Sequence, residues 1–143
     1  MTAICLDTSG YSHFKRGDAA AVTILRRARR VYVPAIVIGE LRTGFRLGNR
    51  VEANDAELSE LLEHPIVTVV AADAAVASLY ANLMVALKSR GTPVPTNDVW
   101  IAATAQHHVA VVLTYDQHFA VMPEVEARIL RSPSSGTSTG SGR

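Results

Sequence analysis

With 143 residues, 48% hydrophobic and 19% charged, the chain has the length and composition for one globular domain with a sizeable core, which excludes an intrinsically disordered protein. A single cysteine, Cys5, excludes an internal disulfide framework and points to a reducing cytoplasm, and no apolar run approaches the roughly 18 residues of a membrane span. The net charge of +1 hides an asymmetry: nine Lys or Arg stand against three acids up to Arg50, and five against ten after it. A basic third suits either a solvated face or a polyanionic partner.

In chain order, Ala3 to Leu6 reads as a central strand ending on Asp7-Thr8-Ser9-Gly10. The N-terminus lacks the basic and long apolar regions of a signal peptide. A short helix is expected over Tyr11 to Arg16, broken at Gly17. Asp18 caps a second helix reaching about Arg30, with Arg26, Arg27, Arg29 and Arg30 mostly outward; these suit either solvent or phosphate. Val31 to Val33 is a brief strand. Pro34 suits the first turn of a helix to about Leu47, with Glu40 on the face of Ile36, Val37 and Gly44. Arg50 to Glu63 is a polar helix, Ile66 to Val70 a β-branched strand, and Asp73 to Arg90 an Ala- and Leu-rich helix stopped by Gly91.

The densest stretch is Pro93 to Phe119. Thr96 is the expected N-cap of a helix on which Asp98, Ile101, Ala102, Ala105 and Val109 share the inward face. Val109 to Leu113 is an expected buried strand, closed by Thr114-Tyr115-Asp116. Gln117 to Met122 suits one helical turn, and Ala127 to Leu130 a last edge strand. Residues 1–131 form the expected domain, followed by a Gly/Ser/Thr tail at 132–143, expected to be disordered.

Alternating strands and helices predict an α/β fold: a mostly parallel central sheet of four to five strands covered on both faces. Ligands bind such sheets beyond the carboxyl ends of the strands. Asp7 and Asp116 follow strands there, and Glu40 and Asp98 lie near the starts of helices on that side. Each alone suits a cap or a local bond; Glu40, for instance, can accept from Thr43. Together they repel, and each raises the others' pKa unless a cation binds. Oxygen ligands point to Mg²⁺ or Mn²⁺ rather than zinc. His107-His108 suits a helix C-terminus. His13 and His118 suit either the surface or a substrate phosphate, and Cys5 suits the core. Arg42 and Arg46 are candidate anchors for flanking phosphates.

The motifs Asp7-Thr8-Ser9, Glu40, Asn97-Asp98-x-Trp100-Ile101-Ala102-Ala103 and Thr114-x-Asp116-x-x-Phe119 resemble those of the PIN-domain nucleases, most closely the VapC-type toxins of bacterial toxin–antitoxin pairs. The resemblance covers about Ala3 to Leu130. It implies a PIN-like three-layer sandwich and a Mg²⁺-dependent endoribonuclease, with Mn²⁺ able to substitute. It implies metal and catalytic carboxylates at Asp7, Glu40, Asp98 and Asp116, supported by Thr8, Ser9, Asn97 and Thr114. It also implies a homodimer and a small VapB-like antitoxin that plugs the groove. The long helix over Asp73 to Arg90, apolar on more than one face, likewise suggests a dimer. The weak general acid–base outlook of the histidines favours hydrolysis by metal-activated water, leaving 5′-phosphate and 3′-hydroxyl ends. Two other readings compete. A non-catalytic RNA-binding module would keep a costly acid cluster without use. A phosphotransfer protein, either a receiver or an aspartyl phosphatase, wants a second acid beside or two residues after Asp7, where this chain has Ser9 at the second position.

Overall fold

The computed structural model of the protein describes residues 2–132. The tail expected at 132–143 lies outside the described residues except for Ser132. Five strands form one parallel sheet: β1 (Ala3–Leu6), β2 (Arg30–Pro34), β3 (Val67–Val70), β4 (Val111–Thr114) and β5 (Ala127–Ile129), in the spatial order β3-β2-β1-β4-β5. Among the described residues, six α-helices connect and cover them: α1 (Thr8–Lys15), α2 (Ala19–Arg27), α3 (Ala35–Leu47), α4 (Val51–Leu62), α5 (Ala74–Arg90) and α6 (Thr96–His107). All four residues of β1 are buried, so both faces of the sheet are covered, as the alternating pattern requires. β1 is central, with Ile4 opposite Val31 on one side and Val111 on the other. The α/β three-layer architecture is therefore the expected one.

Several boundaries differ from expectation, each for a local reason. α1 begins at Thr8 rather than Tyr11, because the Asp7 carboxylate caps it through the Gly10 N–H. α2 stops at Arg27 rather than about Arg30. Ala28 is extended, and the Arg29 N–H already bonds the Thr2 carbonyl, so the chain has turned into the sheet. Thr96 is not the cap of α6 but its first residue; Pro95 holds the cap position without a side-chain bond.

α6 is the core helix. Val99 and Ile101 to Ala105 are all buried, because the helix lies against β1, β2 and β4 while α5 packs on its outer side. Small alanines make this double coverage possible. α5 spends much of its apolar surface within the chain: Val76, Leu83 and Leu87 are buried, and Tyr80 stacks on Trp100 with ring centroids 3.9 Å apart. Val85, at 67% exposure, remains outward.

Val109 corrects the sequence reading most sharply. It lies neither on the inward helix face nor in β4, which starts at Val111; it is 88% exposed. It turns the chain out of α6 in the left-handed region at φ 52°, while the next N–H, of Ala110, returns to the Ala105 carbonyl. A β-branched residue is strained in that region. Val109→Gly is therefore expected to stabilise the protein by about 1 kcal/mol. Thermal unfolding should show a midpoint several degrees higher; an unchanged or lower midpoint would remove the strain argument.

Candidate active site

Parallel strands end together, so the residues after β1 and β4 meet at one edge of the sheet. Asp7 is the innermost. It is 3% exposed, and three donors surround its carboxylate. The Gly10 N–H donates to Oδ1 at 2.7 Å, the Ser9 hydroxyl donates at 3.0 Å, and the Thr114 hydroxyl donates to Oδ2. Ser9 Oγ in turn accepts the Tyr115 N–H at 2.9 Å, and Thr114 Oγ1 accepts the Asp116 N–H at 2.9 Å. Two hydroxyls thus stitch the end of β1 to the end of β4. Burial nonetheless dominates and raises the Asp7 carboxyl to about 6, with the three hydrogen bonds opposing and the Asp98 charge adding to the rise.

Asp98 lies in the first turn of α6 with only 15% of its side chain exposed. Asp116 caps a 3₁₀ turn, Gln117–Val121, through the His118 N–H. Their carboxylates are bridged by one imidazole: His118 Nδ1 lies 2.8 Å from Asp98 Oδ2 and 3.0 Å from Asp116 Oδ1. One donor atom from each of Asp98, Asp116 and His118 falls within 4.8 Å of the others, a spacing that fits a metal ion. Burial raises the Asp98 pKa; the His118 bond opposes this, and the charges of Asp116 and Glu40 add to it.

Of the four acids singled out in the sequence, the structure brings Asp98 and Asp116 together directly. Asp7 and Glu40 stand outside that three-residue group but couple to it electrostatically through Asp98. Glu40 is half-buried on α3 and accepts the Thr8 hydroxyl at 2.9 Å. The Thr43 hydroxyl does not bond Glu40; it donates to the Gly39 carbonyl at 2.8 Å. Asn97 shares an open cleft with Glu40, Ile36, Gly39 and Thr43.

Arg42 and Arg46 are less well placed for phosphates at this edge. Arg42 is two residues beyond Glu40, which turns it about 200° around the helix. Arg46 is one turn further along that same, different face, and its guanidinium donates to the Arg42 carbonyl.

For His118, which the sequence suited to the surface or to a substrate phosphate, the feature missed is its place between the two carboxylates. Its signal is the Asp-x-His spacing: an aspartate that caps its own turn accepts from the N–H two residues on, which places that residue over the carboxylate. Tyr115 is a second addition. Its hydroxyl donates to Asp18, the cap of α2, and its ring stacks on His13 at 3.6 Å.

Residues 4–125 match the family model of the PIN domain. The chain belongs to the PIN-domain family, among its VapC-type members. It is 37% identical to Ribonuclease VapC4 of Mycobacterium tuberculosis over 94 residues, 66% of this chain and 72% of that protein. The solved structure of VapBC-5 from Mycobacterium tuberculosis, a member of the VapBC family of toxin–antitoxin systems, is similar with a TM-score of 0.68 and 27% identity, covering 92% of this chain and 100% of that one. FitAcB from Neisseria gonorrhoeae is similar with a TM-score of 0.72 and 30% identity, covering 87% of this chain and 95% of that one.

The PIN domain's buried acid has a consequence for stability. Without metal, the folded state holds the Asp7 proton more tightly than the unfolded chain does between 3.8 and about 6. The folded pKa is the higher one, so stability falls as pH rises through this window, by about 3 kcal/mol at most. Unfolding in excess EDTA at about pH 4.5 and about pH 7.5 checks this. Relative to wild type, Asp7→Asn should gain roughly three times as much stability at the higher pH as at the lower. Equal gains at both would contradict the assignment.

Proposed function

We propose that this PIN domain is a divalent-metal-dependent endoribonuclease and the toxin of a toxin–antitoxin pair, with a VapB-like antitoxin as its partner. The observation that carries the reading is the pair of carboxylates of Asp98 and Asp116 converging on one cation position, with Asp7 and Glu40 coupled to it. Its relatives named above as a ribonuclease and as a member of toxin–antitoxin systems supply the substrate class and the partner. Hard oxygen donors suit Mg²⁺, and the neighbouring imidazole makes Mn²⁺ an acceptable substitute.

Asp98 and Asp116 would hold the ion, with Asp7 and Glu40 completing the negative field. An Mg²⁺ ion held there would offset the carboxylate charge and would make a bound water more acidic. Ser9 and Thr114 fix the Asp7 carboxylate, and Thr8 fixes Glu40, so the cluster is set before substrate arrives. Asn97, in the cleft with Glu40, offers an amide to the RNA.

The histidines favour water over the RNA's own 2′-hydroxyl as nucleophile. That second route needs a free acid–base pair near the sugar. His13 has Nδ1 at 3.0 Å from the Ser9 carbonyl and Nε2 at 3.0 Å from the Ser132 hydroxyl, so neither nitrogen is free. His118 has Nδ1 on the two carboxylates and so offers Nε2 alone, without a second free imidazole to complete the pair. The phosphotransfer alternative is weakened in the same way. The position two residues after Asp7 is Ser9, and its hydroxyl is engaged with Asp7 and Tyr115.

The acidic edge gives an antitoxin a dock for an arginine, which pairs with carboxylates in bidentate fashion. Val85 on the outer side of α5 offers contact to a second copy in a homodimer. An RNA-cleaving toxin with a buried free thiol at Cys5 belongs in the cytoplasm.

Product analysis tests the chemistry. Cleavage of bulk RNA with Mg²⁺ should leave 5′-phosphate and 3′-hydroxyl ends, and a 2′-deoxy sugar at the cut position should still be cleaved. Asp98→Asn should abolish the activity. Ends carrying 2′,3′-cyclic phosphate, or activity in excess EDTA, would overturn the reading.

A further inference from the structure

Among the described residues, and apart from Arg16 beside His13, the catalytic edge is poor in unpaired positive charge. Lys15 is engaged by Glu57 at 3.6 Å, His118 lies between two carboxylates, and Arg42 and Arg46 face away from Glu40. A site built on acids repels the phosphates it has to receive, and a bound ion offsets only part of that charge. Affinity for RNA then has to come from elsewhere on the molecule.

The opposite edge of the sheet supplies it. A cleft of about 730 Å³ opens at the amino-terminal ends of the central strands. Its lining includes Ile4 of β1, Val111 at the start of β4 and Ile24 of α2. Arg26 and Arg27 flank it from the end of α2, and Arg128 flanks it from β5. All three arginines are exposed. Among the described residues, none of them has a carboxylate within 4.0 Å, although Glu126 also lines the cleft. Arg29 and Arg30 extend the patch toward β2, and Arg30 donates to the Thr68 hydroxyl. Five of the chain's fourteen Lys and Arg therefore gather at this edge.

We propose that this arginine-flanked cleft is a second, non-catalytic RNA site that grips the backbone of a folded RNA while the acid edge cuts it. The inference rests on the endoribonuclease reading for the identity of the polyanion. Exposed guanidinium groups around a partly apolar cleft suit a phosphodiester strand, with phosphates at the arginines and sugars against the half-buried Ile24 and Val111. The spacing selects the kind of RNA. β1 is four residues long, so the two sites lie at least about 13 Å apart along the strands. A single strand of only a few nucleotides, seated at the acid edge, does not reach around the domain to the cleft. A folded RNA does, because it presents more than one backbone segment at a time.

The experiment compares wild type with Arg26→Gln/Arg27→Gln/Arg128→Gln on two probes, unfractionated tRNA and a short single-stranded oligoribonucleotide. None of the three arginines belongs to the catalytic cluster, and all are exposed, so the fold is expected to survive; the unfolding midpoint confirms that it does. On tRNA, KM should rise roughly ten-fold with kcat unchanged, and the slope of log Kd against log salt should fall by roughly 2, as for three lost phosphate contacts. On the oligoribonucleotide, neither KM nor kcat should move. Equal effects on both probes, or none on either, would overturn the proposal. Loss of binding to polyglutamate with tRNA binding unchanged would also overturn it and assign the cleft to an acidic protein segment. If wild type cleaves neither probe, the nuclease reading fails; the salt slope of tRNA binding still decides the cleft.

Discussion

The structure of the catalytic edge depends on one buried carboxylate. Asp7 ends the central strand, caps the first helix and receives the hydroxyl of Thr114 from the neighbouring strand. A carboxylate this deep is costly unless donors surround it. The donors are present because the chain comes unusually close at this point. A Cβ on Gly10 would lie 2.4 Å from the Leu113 carbonyl oxygen and 3.1 Å from Asp7 Oδ1. Only glycine lets α1 start hard against β4, and that approach delivers the Gly10 N–H to Asp7. Sequence, close packing and site geometry are here a single constraint.

The remaining acids follow from it. Asp98 sits on α6, whose run of small residues lets the helix press against three strands and brings its first turn to the same edge. Asp116 leaves β4 two residues after Thr114, whose hydroxyl receives its N–H. These placements concentrate negative charge where burial raises both Asp7 and Asp98. The cluster carries an electrostatic cost that a bound cation would offset. His118 Nδ1 stands between the two outer carboxylates, at the position where positive charge is most favourable. On the opposite edge the balance reverses, with arginines that lack carboxylate partners. In the proposed reading, a PIN domain polarised in this way would separate the work of cutting from the work of holding.

Much of this was legible in the sequence. Strand and helix order followed from alternating apolar runs and from Asp18, Asp73 and Gly91, which cap or stop helices where expected. The four acids were legible because each interrupts an apolar run at a strand end or a helix start. Other features were not. His118 looks like a surface residue until Asp116 is known to cap its own turn. Val109 continues an apolar pattern on both sides, so periodicity alone cannot tell that the chain turns there in the left-handed region. Arg42 is half-buried with its Nε enclosed and unpartnered, which its spacing from Glu40 does not foretell. The apolar excess of α5 pointed to a second copy, yet Leu83, Leu87 and Tyr80 are largely used within the chain, since α6 needs a cover on the side away from the sheet.

The central claim is that these acids exist at the edge of the sheet to hold a divalent cation. Calorimetric titration of Mn²⁺ into the protein tests it most directly, without requiring the RNA target. Wild type should bind saturably, and Asp98→Asn and Asp116→Asn should each lose at least about ten-fold in affinity while keeping their fold. Absence of saturable binding to the wild type, or wild-type affinity in both variants, would contradict the account.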